Sequence, residues 1–179
     1  NAAKALNIPI WDVNLNTDGT VRLQPPQKIY TPRTEDPPKP SDIALFLHTS
    51  GTTSRPKGVP LTHKNLLTSL KNIVNTYNLS PQDTGLVVMP LFHVHGLIGS
   101  TLAPLSAGSS IIIPQRFSAS HFWNQVQEHS ANWYTAVPTI HQILLSRADK
   151  DLAPSKTFRF IRSCSAALAP SVLTRLENR

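Results

Sequence analysis

The sequence predicts an α/β domain in which a mostly parallel sheet is covered by helices on both faces. Short apolar runs of strand length recur along the chain, segments with helical spacing of apolar residues fall between them, and turn-forming residues separate the two. Strands that alternate with helices are joined by crossovers, and crossovers lay helices over the faces of a parallel sheet.

Taken in order, Asn16–Pro40 holds Pro25, Pro26, Pro32, Pro37, Pro38 and Pro40 among polar residues. Proline removes a backbone donor and blocks a continuous helix, so this stretch reads as an extended linker. Residues 1–40 are therefore expected to form an N-terminal segment and linker, and residues 41–179 the domain. Ile43–Leu47 is the first expected strand, followed by a polar stretch from Thr49 to Lys57. Thr62 offers an N-cap, and Leu66, Leu70, Ile73, Val74 and Tyr77 recur at helical spacing, which predicts one buried helix face ending at the Ser80-Pro81 turn. Further strands are expected at Leu86–Val88, Ile111–Ile113, Trp133–Val137 and Phe158–Ile161. Helices are expected near Leu97–Leu105, Ser120–His129 and Pro138–Arg147, and Pro170 opens a last one.

Composition narrows the function little. The chain has 179 residues, 40% hydrophobic and 15% charged, which is ordinary for a folded domain. Seventeen Lys+Arg against ten Asp+Glu give a net charge of +7. That balance admits a polyanion such as RNA as partner, but the basic residues are scattered without interleaved aromatics, the pattern of a solvated basic surface. A single cysteine, Cys164, excludes an internal disulfide framework and a Cys-rich zinc site and fits a reducing compartment. No apolar run approaches the roughly 18 residues that a membrane helix needs. The chain starts at Asn1 and stops at Arg179 inside an expected helix, so both ends are expected to be cuts in a longer protein.

The segment from His48 through Thr49, Ser50, Gly51, Thr52, Thr53, Ser54, Arg55, Pro56 and Lys57 to Gly58 gathers hydroxyls, a glycine and a lysine into one turn. Glycine lets backbone N–H groups converge on an anion, hydroxyls add donors, and a lysine neutralises charge. By residue type alone, a surface Ser/Thr turn stays open as an alternative. A Walker A loop does not: Pro56 precedes the lysine and Gly58 follows it, where that motif needs Gly-Lys-Ser/Thr.

The string resembles, almost letter for letter, the signature loop of the adenylate-forming superfamily, which includes acyl-CoA synthetases, firefly luciferase and the adenylation domains of peptide synthetases. The resemblance runs from about Asp42 to the end of the chain. It implies that the chain is part of the large N-terminal domain of an acyl-CoA synthetase. It also implies that Thr49, Ser50, Gly51, Thr52, Thr53 and Lys57 hold the β- and γ-phosphates of ATP, with Ser54, Arg55 and Pro56 completing the loop and Lys57 and Thr52 as expected catalytic residues. Ser54 stands where most members have a second glycine. In this respect Ser54-Arg55-Pro56-Lys57 looks like the oxalate-CoA ligase branch, found in plants and in yeast peroxisomes.

Two further segments carry the likeness. Pro90-Leu91-Phe92-His93-Val94-His95-Gly96-Leu97 puts two histidines after a strand, where open α/β sheets bind ligands. Their i, i+2 spacing is not that of a helical zinc pair, and no third ligand lies nearby in sequence, so no metal site is expected. The family's corresponding histidine borders the acyl pocket, which implies that His93 contacts the substrate carboxylate; His95 is expected to be structural. Arg162-Ser163-Cys164-Ser165-Ala166-Ala167 ends a strand in small residues, a pattern that tight strand-to-helix packing also produces. The family's turn here lines adenine and substrate, which places Ser165 on a carboxylate and Ala166 and Ala167 on the adenine side. Cys164 is expected to be a small filler rather than a nucleophile. Trp133–Ile140 resembles the strand and helix beside that pocket.

The implied reaction joins a carboxylic acid to ATP as an acyl-adenylate and then to coenzyme A, with Mg²⁺ as an expected cofactor. The favoured acid is oxalate, the runner-up a medium-chain fatty or aromatic acid. The family's glutamate for Mg²⁺, its ribose-binding aspartate and its catalytic lysine are expected outside this chain, so the isolated chain is expected to be inactive. A polyanion-binding module and a non-catalytic fragment are the alternatives from other classes. An intracellular location, cytoplasmic or peroxisomal, is expected.

Overall fold

The computed structural model describes residues 12–25, 36–49, 56–147 and 158–178. The chain divides into two compact units, Asn1–Pro38 and Lys39–Arg179. In the first, β1 (Asp12–Leu15) pairs antiparallel with β2 (Val21–Gln24), with Leu15 opposite Val21. Gly19 takes φ 82° in the intervening turn, which Asp18 closes by accepting from the Thr20 backbone and hydroxyl at 2.9 and 2.7 Å. A hairpin thus occupies part of the stretch read as a linker, because the Asp18-Gly19 turn favours strand reversal ahead of the prolines.

In the second unit, β3 (Ile43–Thr49) and β4 (Lys57–Thr62) form a separate antiparallel pair, with Thr49 opposite Lys57. β4 was not expected as a strand; Pro60 and Gly58 within it are tolerated because a two-stranded pair has only edges. Thr62 then caps α1 (His63–Tyr77): its hydroxyl accepts from Asn65 N at 3.2 Å, and Asn65 Oδ1 accepts from Thr62 N at 3.0 Å. This reciprocal box satisfies two otherwise orphaned donors. The face of Leu66, Leu70, Ile73, Val74 and Tyr77 is half-buried, and no residue of α1 is fully buried. Asn78 ends the helix in the left-handed region at φ 49°.

The main sheet has four parallel strands in the order β6-β5-β7-β8: β5 (Thr84–Leu86), β6 (Ser110–Ile112), β7 (Trp133–Ala136) and β8 (Phe160–Ser163). Between β5 and β6 lie α2 (His95–Leu102), a π-helical stretch, and the short α3 (Ala103–Ser106). α4 (Phe122–Glu128) precedes β7, α5 (Pro138–Arg147) follows it, and α6 (Pro170–Glu177) follows β8.

All four residues of β7 are buried, and they alternate between the two faces. Tyr134 and Ala136 join Leu86, Phe122, Val126 and Leu144 in the core against α4 and α5. Trp133 faces the other way, stacked on Phe160 at 5.2 Å, and Phe160 in turn stacks on Tyr77 of α1 at 5.6 Å. Gly85 is needed beneath this stack, since a Cβ there would lie 2.9 Å from the Trp133 ring. Helices therefore cover both faces, as expected.

The amino ends of the strands are tied by a buried carboxylate. Asp83, 3% exposed, accepts from Ser80 N at 2.8 Å and from Asn132 Nδ2 at 3.0 Å. Arg159 adds a two-pronged ion pair, Nε at 2.9 Å and Nη2 at 3.0 Å, and gives a third bond to the Tyr77 carbonyl. Asn132 Oδ1 accepts from Thr84 N at 2.9 Å, closing the network across β5, β7 and β8.

Candidate functional site

The β3–β4 pair sets Thr49 and Lys57 opposite each other at the two ends of the hydroxyl-rich turn. Thr49, Pro56 and Lys57 are exposed there. Ser50, Gly51, Thr52, Thr53, Ser54 and Arg55 lie outside the described residues. The pair is held flat by Gly58, because any Cβ at that position would run into the Phe46 ring across the strand.

A second polar group sits at the carboxyl ends of β7 and β8, where Thr135 and Arg162 are register partners on the same face as Trp133 and Phe160. α2 brings His95 to them. The turn into α2 depends on Gly96, whose missing side chain lets the helix start against the Met89 and Pro90 carbonyls. Ser100 and Thr101 donate to the carbonyls five residues earlier, of His95 and Gly96, at 3.1 and 2.9 Å, which suits the wide π-helical turn.

His95 Nε2 lies 2.7 Å from Thr135 Oγ1, and Arg162 Nη1 donates to the same hydroxyl at 3.3 Å. The other ring nitrogen, Nδ1, faces Cys164 Sγ at 3.3 Å and Ser165 Oγ at 3.4 Å. The Arg162 guanidinium is steadied over the Tyr77 ring, 5.2 Å from its centre. Burial holds His95 below the ordinary histidine value of 6.5, and the charge of Arg162 and the proximity of His141 push it the same way. The ring is therefore neutral at physiological pH.

Ser165 adopts φ 72°, the left-handed region that a serine enters at a cost of about 1 kcal/mol or more. Its hydroxyl is thereby aimed at His95. His95, Arg162, Cys164 and Ser165 line a cavity of about 250 Å³ between α1, α2 and β8, with Thr135 behind them. Ile73, Val94 and Ile98 are the apolar part of its lining, which Gly99, Arg162 and Ser165 share. A Cβ at Gly99 would make ordinary contacts with His95 Cδ2 at 3.6 Å and Arg162 Nη1 at 3.7 Å, so the backbone of α2 runs close to both groups.

The two histidines are separated. His93 is exposed with its ring 4.6 Å from that of Phe92, itself 78% exposed, and it does not line this cavity. His95, expected to be structural, is in the cavity wall with Ser165. Ala166 and Ala167 follow Ser165 on the exposed turn before α6. Sequence reasoning did not single out Thr135 or Arg162; the available signal was a charged residue at the carboxyl end of an otherwise apolar strand. Among the described residues no group of three or more His, Cys, Asp or Glu could hold a metal ion, and no helix is long and apolar enough to cross a membrane.

Comparison with known proteins adds four findings. The AMP-binding enzyme family matches residues 4–179 of the chain. A probable CoA ligase of Humulus lupulus is 58% identical over 141 residues, covering 77% of this chain and 27% of that protein. An oxalate–CoA ligase of Arabidopsis thaliana is 57% identical over 141 residues with the same coverage, 77% and 27%. The chain thus spans about a quarter of the length of these curated relatives. Among solved structures, a malonyl-CoA ligase in a ternary product complex with methylmalonyl-CoA and AMP superposes with a TM-score of 0.73 at 33% identity, covering 80% of this chain and 32% of that one.

Proposed function

This chain belongs to the AMP-binding enzyme family, and from that premise we propose that it is a portion of the large N-terminal domain of an ATP-dependent carboxylate–CoA ligase whose acid is short and doubly charged, oxalate first. One observation carries the choice of acid: the cavity at the carboxyl end of β8 sets the Arg162 cation beside the His95 and Ser165 donors. A fatty acid needs apolar wall alone, whereas a diacid needs donors and a cation for its second carboxylate. The 57% identity to an oxalate–CoA ligase supports the same reading.

In the reaction, a substrate carboxylate oxygen attacks the α-phosphorus of ATP, the bond to the pyrophosphate oxygen breaks, and an acyl-adenylate forms. The coenzyme A thiol then attacks the acyl carbon and AMP leaves. Thr49, Ser50, Gly51, Thr52, Thr53 and Lys57 hold the β- and γ-phosphates as charge moves onto pyrophosphate, with Ser54, Arg55 and Pro56 shaping the loop. Such transfer is mainly positioning and charge neutralisation. Ser165 and His95 orient the acid, Arg162 balances its second charge, and Ala166 and Ala167 leave room for the adenine ring. The family resemblance keeps His93, exposed beside Phe92, as a further contact to the substrate carboxylate. Mg²⁺ is expected with the nucleotide, and among the described residues no group of three or more His, Cys, Asp or Glu could hold it.

The apolar wall of Ile73, Val94 and Ile98 favours a second reading, a medium-chain fatty acid. AMP release by the full-length protein with ATP, CoA and oxalate, malonate or octanoate separates the two. Oxalate is expected to be the best substrate, and Lys57→Ala to lower its rate at least about 100-fold, the scale of losing one transition-state charge contact. Octanoate turnover with oxalate inert overturns the choice of acid. Undiminished activity in Lys57→Ala overturns the role of the loop.

A further inference from the structure

We infer that Thr135 is a positioning residue that fixes the tautomer of His95, so that the imidazole presents an N–H, and never a bare nitrogen, to the acid in the cavity. The inference rests on the reading of that cavity as the acid site.

It follows from counting hydrogens at one buried hydroxyl. Arg162 can only donate, so Thr135 Oγ1 accepts from its Nη1 at 3.3 Å. Thr135 is 1% exposed, which leaves no solvent for its own hydrogen. The nearest group able to take that hydrogen is His95 Nε2, at 2.7 Å, and Thr135 Oγ1 has no other side-chain or backbone acceptor among the described residues. If Nε2 carried the proton instead, the threonine hydroxyl would accept twice and bury an unsatisfied hydrogen, which costs about 1–3 kcal/mol. Nε2 is therefore the acceptor, and in a neutral ring the proton resides on Nδ1.

Nδ1 is the nitrogen beside Ser165 Oγ in the cavity lining, at 3.4 Å, while Cys164 Sγ lies at the ring edge, 3.3 Å from Nδ1 and 3.4 Å from Nε2. An acid carboxylate accepts from an N–H and is repelled by a lone pair. Arg162 thus acts at two points: directly, as the cation in the lining, and through Thr135, by orienting the hydroxyl that sets the ring. The titratable or charged groups facing His95 are Arg162 and Cys164 from the β8 end and His141 from α5, and none of them is an acid that would draw a proton onto Nε2.

The test uses the full-length protein and oxalate. Thr135→Val, which keeps the shape and loses the hydroxyl, is expected to raise the KM for oxalate about 10-fold while leaving the KM for ATP within about twofold; Thr135→Ser is expected to restore it to within about threefold. Nitrogen-15 NMR of the histidine side chains is expected to show His95 protonated at Nδ1 in the wild type and a mixture of tautomers in Thr135→Val. Equal oxalate KM values in Thr135→Val and wild type, or Nε2 protonation in the wild type, overturn the inference. Should Thr135→Val fail to fold, His95→Asn, which keeps a donor near the Nδ1 position, is expected to retain more activity than His95→Gln; the reverse order also overturns it. Absence of oxalate turnover in the wild type would instead count against the proposed acid, since the tautomer is read by NMR without substrate.

Discussion

The two ends of the parallel sheet are both polar, in opposite ways. At the amino ends, the Asp83 carboxylate is 3% exposed and accepts from Ser80, Asn132 and Arg159, so its bonds all point inward. At the carboxyl ends, Arg162 and Ser165 line an opening, and Ser165 is held in a left-handed conformation to do so. A charge whose partners are all internal can act only on the fold. One that is half-exposed beside a cavity, with its donors uncommitted to a carboxylate among the described residues, can act on a ligand. Ligand sites in open α/β sheets lie at the carboxyl ends for this reason of exposure and backbone polarity.

The contrast predicts different costs for breaking each end. Asp83→Ala is expected to lower unfolding free energy by about 3 kcal/mol, since it strands Arg159 and three neutral donors. Arg159 is 36% exposed and can turn to water, which keeps the loss near the lower end for a buried pair. Denaturant unfolding of the full-length protein measures it. A loss below about 1 kcal/mol, in the range of surface pairs, would place Asp83 outside the structural class.

A smaller effect is expected from pH, and it tests the other side of the sheet. Burial lowers His95 and His141 below 6.5, so between that value and their folded values the unfolded chain binds more protons than the native one. Stability therefore rises with pH through this window and is lost as pH falls below 6.5. His141 is the cleaner probe, because it is fully buried on α5 with Nδ1 3.0 Å from the Tyr134 hydroxyl. His141→Asn is expected to flatten the slope of stability against pH between 7 and 5; an unchanged slope would assign the effect elsewhere.

How much of this was legible in the residues follows from range. The Thr62 cap and the Leu66–Tyr77 face are local patterns, and the structure has both. β7 was legible because four consecutive buried residues read as a strand interior. The β1–β2 hairpin was obscured by the prolines that follow it, and β4 by Gly58 and Pro60 within it. At the carboxyl end of the sheet Ser165 was legible as a candidate, but the pairings at both ends were not: Asp83 meets Arg159 across 76 positions, and His95 meets Thr135 across 40. No periodicity records such pairings, which arise only when parallel register aligns β7 with β8. The phosphate turn is the opposite case, conspicuous as a string while Ser50–Arg55 fall outside the described residues.

Arg162→Met in the full-length protein tests the central distinction between the ends of the sheet most directly, because methionine keeps an apolar stem and removes the charge, its donors and the guanidinium that lies over Tyr77. The KM for oxalate is expected to rise about 30-fold, the equivalent of one charged hydrogen bond of about 2 kcal/mol, with the thermal midpoint unchanged within about 2 °C. An unaltered KM accompanied by a marked fall in the midpoint would contradict the account and make the carboxyl end of the sheet as purely structural as the amino end.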